Sequence, residues 1–203
     1  MRVRTHTNPF NYYQRLQPID WSSLWSEFDG TLDFEIGFGR GVFFRHWCQK
    51  YTDRFLVGAE IRRSVVDILR DRLNELCISN QCILHGNAEI ILQDCFGDHS
   101  IDNIFLFHPD PWFKKRHHKR RVLRKKFLDM ASKKMKKNGK LYISTDVKEL
   151  WEAMVDTIES HPDFSFVEAD PFWEEDYNTH WHIFREKDGR DFFRGTIAMT
   201  GDV

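Results

Sequence analysis

The stretch Asp33-Phe-Glu-Ile-Gly-Phe-Gly-Arg-Gly41 reads as the end of a strand, a glycine turn and the opening of a helix. Outward from it the chain repeats that unit. Strands are expected at 31 to 37, 54 to 60, 81 to 86, 101 to 107, 140 to 145, 163 to 169 and 191 to 199. Helices are expected between them at about 40 to 51, 61 to 77, 88 to 95, 121 to 137 and 147 to 160. The second helix carries Ile61, Val65, Ile68, Leu69, Leu73 and Leu76 at 3/4 spacing, and Asn138-Gly139 reads as the C-terminal cap of the fourth. Strict alternation of strand and helix means a parallel sheet covered on both faces, the α/β class. Ligands on such sheets bind beyond the carboxyl ends of the strands, near the point where strand order reverses. Asp33 to Gly41, Glu60, Asn87, Asp110 and Asp146 all fall at expected strand ends.

A length of 203 residues with 41% hydrophobic and 15% aromatic content suits one domain with a full core. Residues 1–30, with Pro9, Pro18 and a Trp21/Trp25 pair at helical spacing, read as an arm with one short helix, and 31–203 as the α/β domain. No apolar run approaches the ~20 residues of a membrane span, and no apolar stretch follows the basic start as in a secretory signal. A cytoplasmic protein is expected. Cys48, Cys77, Cys82 and Cys95 lie in or beside apolar segments with no C-x-x-C pair, so reduced, buried thiols are expected. His180-x-His182 lacks a nearby third ligand and no metal is expected. The net charge of −1 conceals an asymmetry, because Lys114 to Lys140 holds 14 Lys/Arg against the single acid Asp129.

Two sites follow from these residues. At the first, the G-x-G-x-x-G dinucleotide fingerprint fails, since Val42 stands where its third glycine should be. Glu35, two residues before the first glycine, would repel a pyrophosphate and suits a ligand bearing an ammonium or sulfonium group, such as S-adenosylmethionine. Glu60, about 20 residues beyond the glycines, is placed to accept ribose hydroxyls, and Asn87 to bond an adenine edge. At the second, Pro109 and Pro111 restrict the backbone around Asp110 and hold its carboxylate. Trp112 can wall the pocket and Lys114 can turn toward the same ligand. From Arg116 to Lys126 nearly every residue is cationic, and bunched like charges call for a polyanion, here nucleic-acid phosphate.

These motifs taken together, Glu35-x-Gly-x-Gly, Gly58-Ala-Glu60, Asn87-Ala, Pro109-Asp-Pro-Trp-x-Lys-Lys-Arg-His and Thr145-Asp146, resemble the tRNA (guanine-N7-)-methyltransferase family. The match runs from about Leu32 to Ile158. It implies a Rossmann-like class I methyltransferase fold, with a mostly parallel seven-stranded sheet and helices on both faces. It further implies that S-adenosylmethionine is held by Glu35, Gly37, Gly39, Glu60, Asn87 and Ala88. Asp110 would be the catalytic acid at the guanine, and Lys114, Asp146, Thr179 and His182 would contact substrate. Arg116, His117, His118, Lys119, Arg120 and Arg121 would touch RNA, the product being N7-methylguanine in the variable loop of tRNA. Two departures stand out: His108 replaces the family's Phe or Tyr, and the Thr-x-x-Glu signature reads Thr179-His180-Trp181-His182. An amine methyltransferase would carry a double proline after the acid, which is missing here. An NAD-dependent oxidoreductase would need other glycine spacing and a proton-relay pair. An RNA-binding module with a decayed cofactor cleft is the rival from another class, and cofactor binding separates it. Monomer, homodimer and complex with an accessory subunit all fit the sequence.

Overall fold

A computed structural model describes residues 7–180, 189 and 191–200. The sheet is built from β1 (Leu32–Ile36), β2 (Phe55–Glu60), β3 (Gln81–His85), β4 (Ile101–Phe107), β5 (Met135–Thr145), β6 (Phe164–Val167) and β7 (Phe193–Met199). The helices are α1 (Val42–Lys50), α2 (Arg63–Glu75), α3 (Ala88–Cys95), α4 (Lys125–Lys134), α5 (Lys148–Glu159) and the short α6 (Phe172–Glu175). Strand order is β3-β2-β1-β4-β5-β7-β6, with β7 antiparallel to both of its neighbours and the first five strands parallel. The order reverses between β1 and β4, so the crevice where ligands bind opens at the ends of those two strands.

Every residue of β1 and β2 is buried; β2 accordingly runs apolar up to Glu60, whereas β1 alternates apolar residues with the buried acids Asp33 and Glu35. One apolar cluster packs α3, α4 and α5 on one face of the sheet; a second packs α1, α2 and α6 on the other. Inside β1, Asp33 accepts both nitrogens of an Arg54 fork at 2.7 and 2.6 Å, and Trp47 Nε1 and Asn103 Nδ2 at 2.9 Å each. That acid is a structural buried pair at the far end of the strand, and it leaves the set of cleft residues. The arm joins the core: Trp21 and Trp25 are buried against Phe55, and Leu16 N–H donates to Asp94 at 2.9 Å. A 3-10 turn over Trp21–Ser23 is what the expected short helix becomes.

Several expectations are corrected. Helix α4 ends at Lys134 and the chain enters β5 at once, because Met135 is fully buried and pairs with Ile101. The last carbonyls of α4 are taken by His99 N–H and Ser100 N–H rather than by an Asn-Gly cap. Gly139 instead lies in a bulge of β5, where a Cβ would sit 2.9 Å from the carbonyl of Lys136 and 3.0 Å from that of Asp102. The buried stripe of α2 is Val66, Leu69 and Leu73, while Ile68 and Leu76 face solvent. Cys77 is exposed just past α2, the others being buried or half-buried. The acidic, aromatic segment from Glu168 to Asp176 is a self-contact. Phe172 and Trp173 enter the core, Asp170 pairs with Lys140, and Asp176 with Lys50.

Candidate active site

Glu35 is one residue short of the end of β1, 4% exposed, and its Oε2 is buried without a hydrogen-bond partner. Burial, and then the nearby Glu60 carboxylate, push the Glu35 carboxyl well above the usual carboxylate range. A buried carboxyl with an unsatisfied oxygen is a site waiting for a cation, and the ammonium of an amino-acid moiety fits it. The turn after β1 depends on Gly37, whose φ of +75° is a backbone conformation that side chains rarely adopt. A Cβ there would meet nothing within 4 Å, so the space beside the turn is open. Gly39 N–H donates to Glu60 Oε2 at 3.2 Å and ties the turn to the end of β2. These residues fit S-adenosylmethionine: Glu35 for the ammonium, the bare turn at Gly37 and Gly39 for close approach, and Glu60 for the ribose.

Glu60 is already engaged. Its Oε1 accepts from the backbone N–H of Ile61 and Arg62 and from Arg62 Nε, and its Oε2 accepts from Arg62 Nη2 at 2.8 Å. Ribose hydroxyls therefore have to displace the Arg62 fork. Asn87 is also committed: its Oδ1 caps α3 by accepting from Glu89 N–H at 2.9 Å, and its Nδ2 donates to Pro9 O at 3.2 Å. Helix cap and arm use both ends of this amide, so the adenine edge expected at Asn87 has to displace the Pro9 carbonyl from its Nδ2. Ala88, the first residue of α3, offers a backbone N–H that no intrahelical carbonyl can reach.

The second half of the site hangs from β4. His108 and Trp112 both adopt φ of +47°, a left-handed conformation that bends the chain on either side of Pro109-Asp110-Pro111. His108 Nε2 lies 2.8 Å from the Tyr177 hydroxyl, its Nδ1 3.4 Å from Asp146 Oδ1, and its N–H donates to Ser144 O at 2.8 Å. Thr179 donates to the same Tyr177 hydroxyl at 3.1 Å, so Asp146, His108, Tyr177 and Thr179 form one polar group beside the Asp110 loop. The Arg62 guanidinium is held above its usual value chiefly by its hydrogen bonds to Glu60, with a smaller through-space contribution from Asp110. Sequence reasoning missed Arg62 and Tyr177; Glu60-x-Arg62 was the available signal for the first, and nothing local marks the second.

The cationic run divides. Lys114, Lys115, Arg116 and Lys119 are exposed on a 3-10 turn (Lys115–Arg120), with Lys125 and Lys126 exposed at the start of α4. His117 and Arg120 hold Trp112 between them, at 5.8 Å ring to ring and 4.9 Å from guanidinium to ring centroid. Burial and the surrounding cations push His117 below its usual value. His118 lies 3.8 Å from Glu149. Arg121 turns inward, 7% exposed, and donates to Pro111 O. Further along, Arg124 pairs with Glu89, Lys134 with Asp98, Lys136 with Asp102 and Lys140 with Asp170. Acids from other segments thus absorb the distal half of the run. His182 lies outside the described residues.

A family model described as a putative methyltransferase matches residues 29–195. The tRNA (guanine-N(7)-)-methyltransferase of Synechococcus sp. (strain JA-3-3Ab) is 32% identical over 165 residues, covering 80% of this chain and 70% of that one. Its counterpart from Prochlorococcus marinus (strain MIT 9215) is 35% identical over 185 residues and covers 87% of each chain. Among solved structures, a SAM-dependent O-methyltransferase from Thermotoga maritima superposes with a TM-score of 0.54 at 14% identity, over 93% of this chain and 68% of that one, a likeness of fold. Fold and site together define an S-adenosylmethionine-dependent class I methyltransferase. Within that class, the chain belongs to the tRNA (guanine-N(7)-)-methyltransferase family.

Proposed function

We propose that this enzyme methylates N7 of the variable-loop guanine in tRNA, with Asp110 as the residue that orients the base. The observation that carries this reading is the buried, unsatisfied Oε2 of Glu35 beside the open turn at Gly37, with β4, which leads into the Asp110 loop, paired directly to β1. S-adenosylmethionine supplies an electrophilic methyl group. N7 of guanine has a lone pair and no proton, so no general base is required, and alignment can supply on the order of 7 to 11 kcal/mol at the generous limit. Asp110, together with Asp146, accepts hydrogen bonds from the N1 and exocyclic amine edge and stabilises the ring as it becomes cationic. Exposed Lys114, Lys115, Arg116 and Lys119 hold the tRNA backbone while the base is exposed, an unstacking that costs a few kcal/mol. Thr179 contributes through Tyr177 at the rear of the same loop.

No helix among the described residues is long and apolar enough to cross a membrane. With tRNA as the substrate, we infer a cytoplasmic enzyme. The test is transfer of labelled methyl to unmodified tRNA, followed by cleavage selective for N7-methylguanine. Label at one variable-loop guanine is expected; label on another base overturns the assignment. Asp110→Asn is expected to lose most turnover while keeping cofactor affinity, and unchanged turnover would remove Asp110 from its role.

A further inference from the structure

Arg121 is the one cation of the stretch from Lys114 to Arg121 that is buried. Its Nε donates to Pro111 O at 2.7 Å, directly after Asp110. Its Nη2 donates to Glu149 Oε1, in the first turn of α5, at 3.3 Å, and lies 3.1 Å from His118 Nε2. Helix α5 follows Asp146 with one residue between, so this guanidinium ties the Asp110 loop to the connection that carries Asp146. On the other side of the loop, His108 makes the matching ties to Ser144 O and Asp146. A phosphate contact needs a solvent-facing head group, and Arg121 has none to offer.

We propose that Arg121 is a positioning residue: its buried guanidinium braces the Pro109-Asp110-Pro111 turn against the start of α5 and fixes the Asp110 carboxylate at the guanine, without itself touching RNA. The geometry demands arginine. The Nε–H and Nη2–H groups point in two fixed directions, at a carbonyl and a carboxylate, whereas a lysine presents one ammonium. Displacing a catalytic group by about 1 Å can cost on the order of 100-fold in rate, so a loosened loop is expected to act on turnover. This rests on the assignment of Asp110 above, and the two can fail separately.

Arg121→Lys separates bracing from phosphate binding, because lysine preserves the charge and loses the fork. Expected for the variant are a turnover at saturating tRNA about 100-fold lower, with S-adenosylhomocysteine affinity, tRNA dissociation constant and its salt slope unchanged. Full turnover, or a defect confined to tRNA affinity with a shallower salt slope, overturns the proposal. Asp110→Asn is measured in parallel: if it keeps full turnover, the Asp110 assignment fails; if it is inactive while Arg121→Lys is normal, only the brace fails. Should Arg121→Lys unfold by circular dichroism, Glu149→Gln on its exposed side chain decides. Because glutamine can still accept the bond, Glu149→Ala is measured beside it: a turnover about two- to fivefold lower for Glu149→Ala at unchanged tRNA affinity supports the brace, and unchanged turnover overturns it.

Discussion

Binding of the cofactor should release a proton from Glu35. In the free enzyme, burial first and Glu60 second hold this carboxyl neutral over a window that begins at the ordinary carboxylate value and ends at the raised one. An ammonium delivered to its unsatisfied Oε2 reverses the preference and ionises it. Within that window the affinity for S-adenosylhomocysteine should rise up to tenfold per pH unit, about 1.4 kcal/mol, and flatten above the raised pKa. The free enzyme should show the opposite trend. A carboxyl whose folded pKa is raised keeps its full contribution below the unfolded value and loses it as pH rises through the folded one. Glu35→Gln removes both slopes and weakens binding by about 1.5 to 3 kcal/mol, the worth of a charged hydrogen bond, or roughly 10- to 150-fold. Titration calorimetry in two buffers of different ionisation enthalpy counts the proton. Equal heats in both buffers, with a dissociation constant flat from about pH 5 upward, would refute the reasoning, as would a glutamine variant that binds as tightly as the parent.

Phe113 is 63% exposed between Trp112 and Lys114, where an RNA base can stack on it. Phe113→Ala should weaken tRNA binding by about 1 to 3 kcal/mol with the salt slope unchanged and Trp restoring it; a shift in slope would contradict stacking. Lys115→Ala and Arg116→Ala should each lower that slope by about one in filter binding at several salt concentrations, and the paired Lys136→Ala should not. Since Arg62 fills both oxygens of Glu60, Arg62→Ala should tighten S-adenosylhomocysteine binding, read by calorimetry; weaker binding would mean that Arg62 itself contacts the cofactor.

The sheet was legible because its central strands are buried on both faces, so β2 and the second half of β4 stand out as apolar runs, and β1 as a short strand ended by the glycine turn. What misled the reading at α4 was a local signal overruled by a tertiary one. Asn138-Gly139 has the chemistry of a cap, but Met135 is needed in the core and the bulge needs a residue without a Cβ against two carbonyls. The exposed Ile68 and Leu76 on α2 show the converse, since apolar residues at helical spacing do not reveal how wide the covered stripe is. Glu35 was legible as a cation site from its place before the glycines. Asn87 carries a second signal, since Asn-Ala-Glu before an apolar run is also a helix-start signature that names its N-cap role.

A run of like charges conceals its own division of labour. Periodicity cannot sort Arg116 from Arg121, because both sit among cations and neither lies on a regular helix; only the carbonyl of Pro111 and the carboxylate of Glu149 decide which one turns inward. The chemistry explains why one should. With no proton to remove from N7, the protein's leverage is the position of Asp110, and that loop is held in a shape it would not adopt alone. His108 and Trp112 are both left-handed without being glycine, at a cost of about 1 to 3 kcal/mol each. Such a turn persists only where its surroundings over-determine it. Here Phe107 anchors it in the core, His108 fastens it to Ser144, and Arg121 fastens its other end to α5. A charge given up from the RNA-facing surface thereby becomes part of what keeps the catalytic carboxylate still.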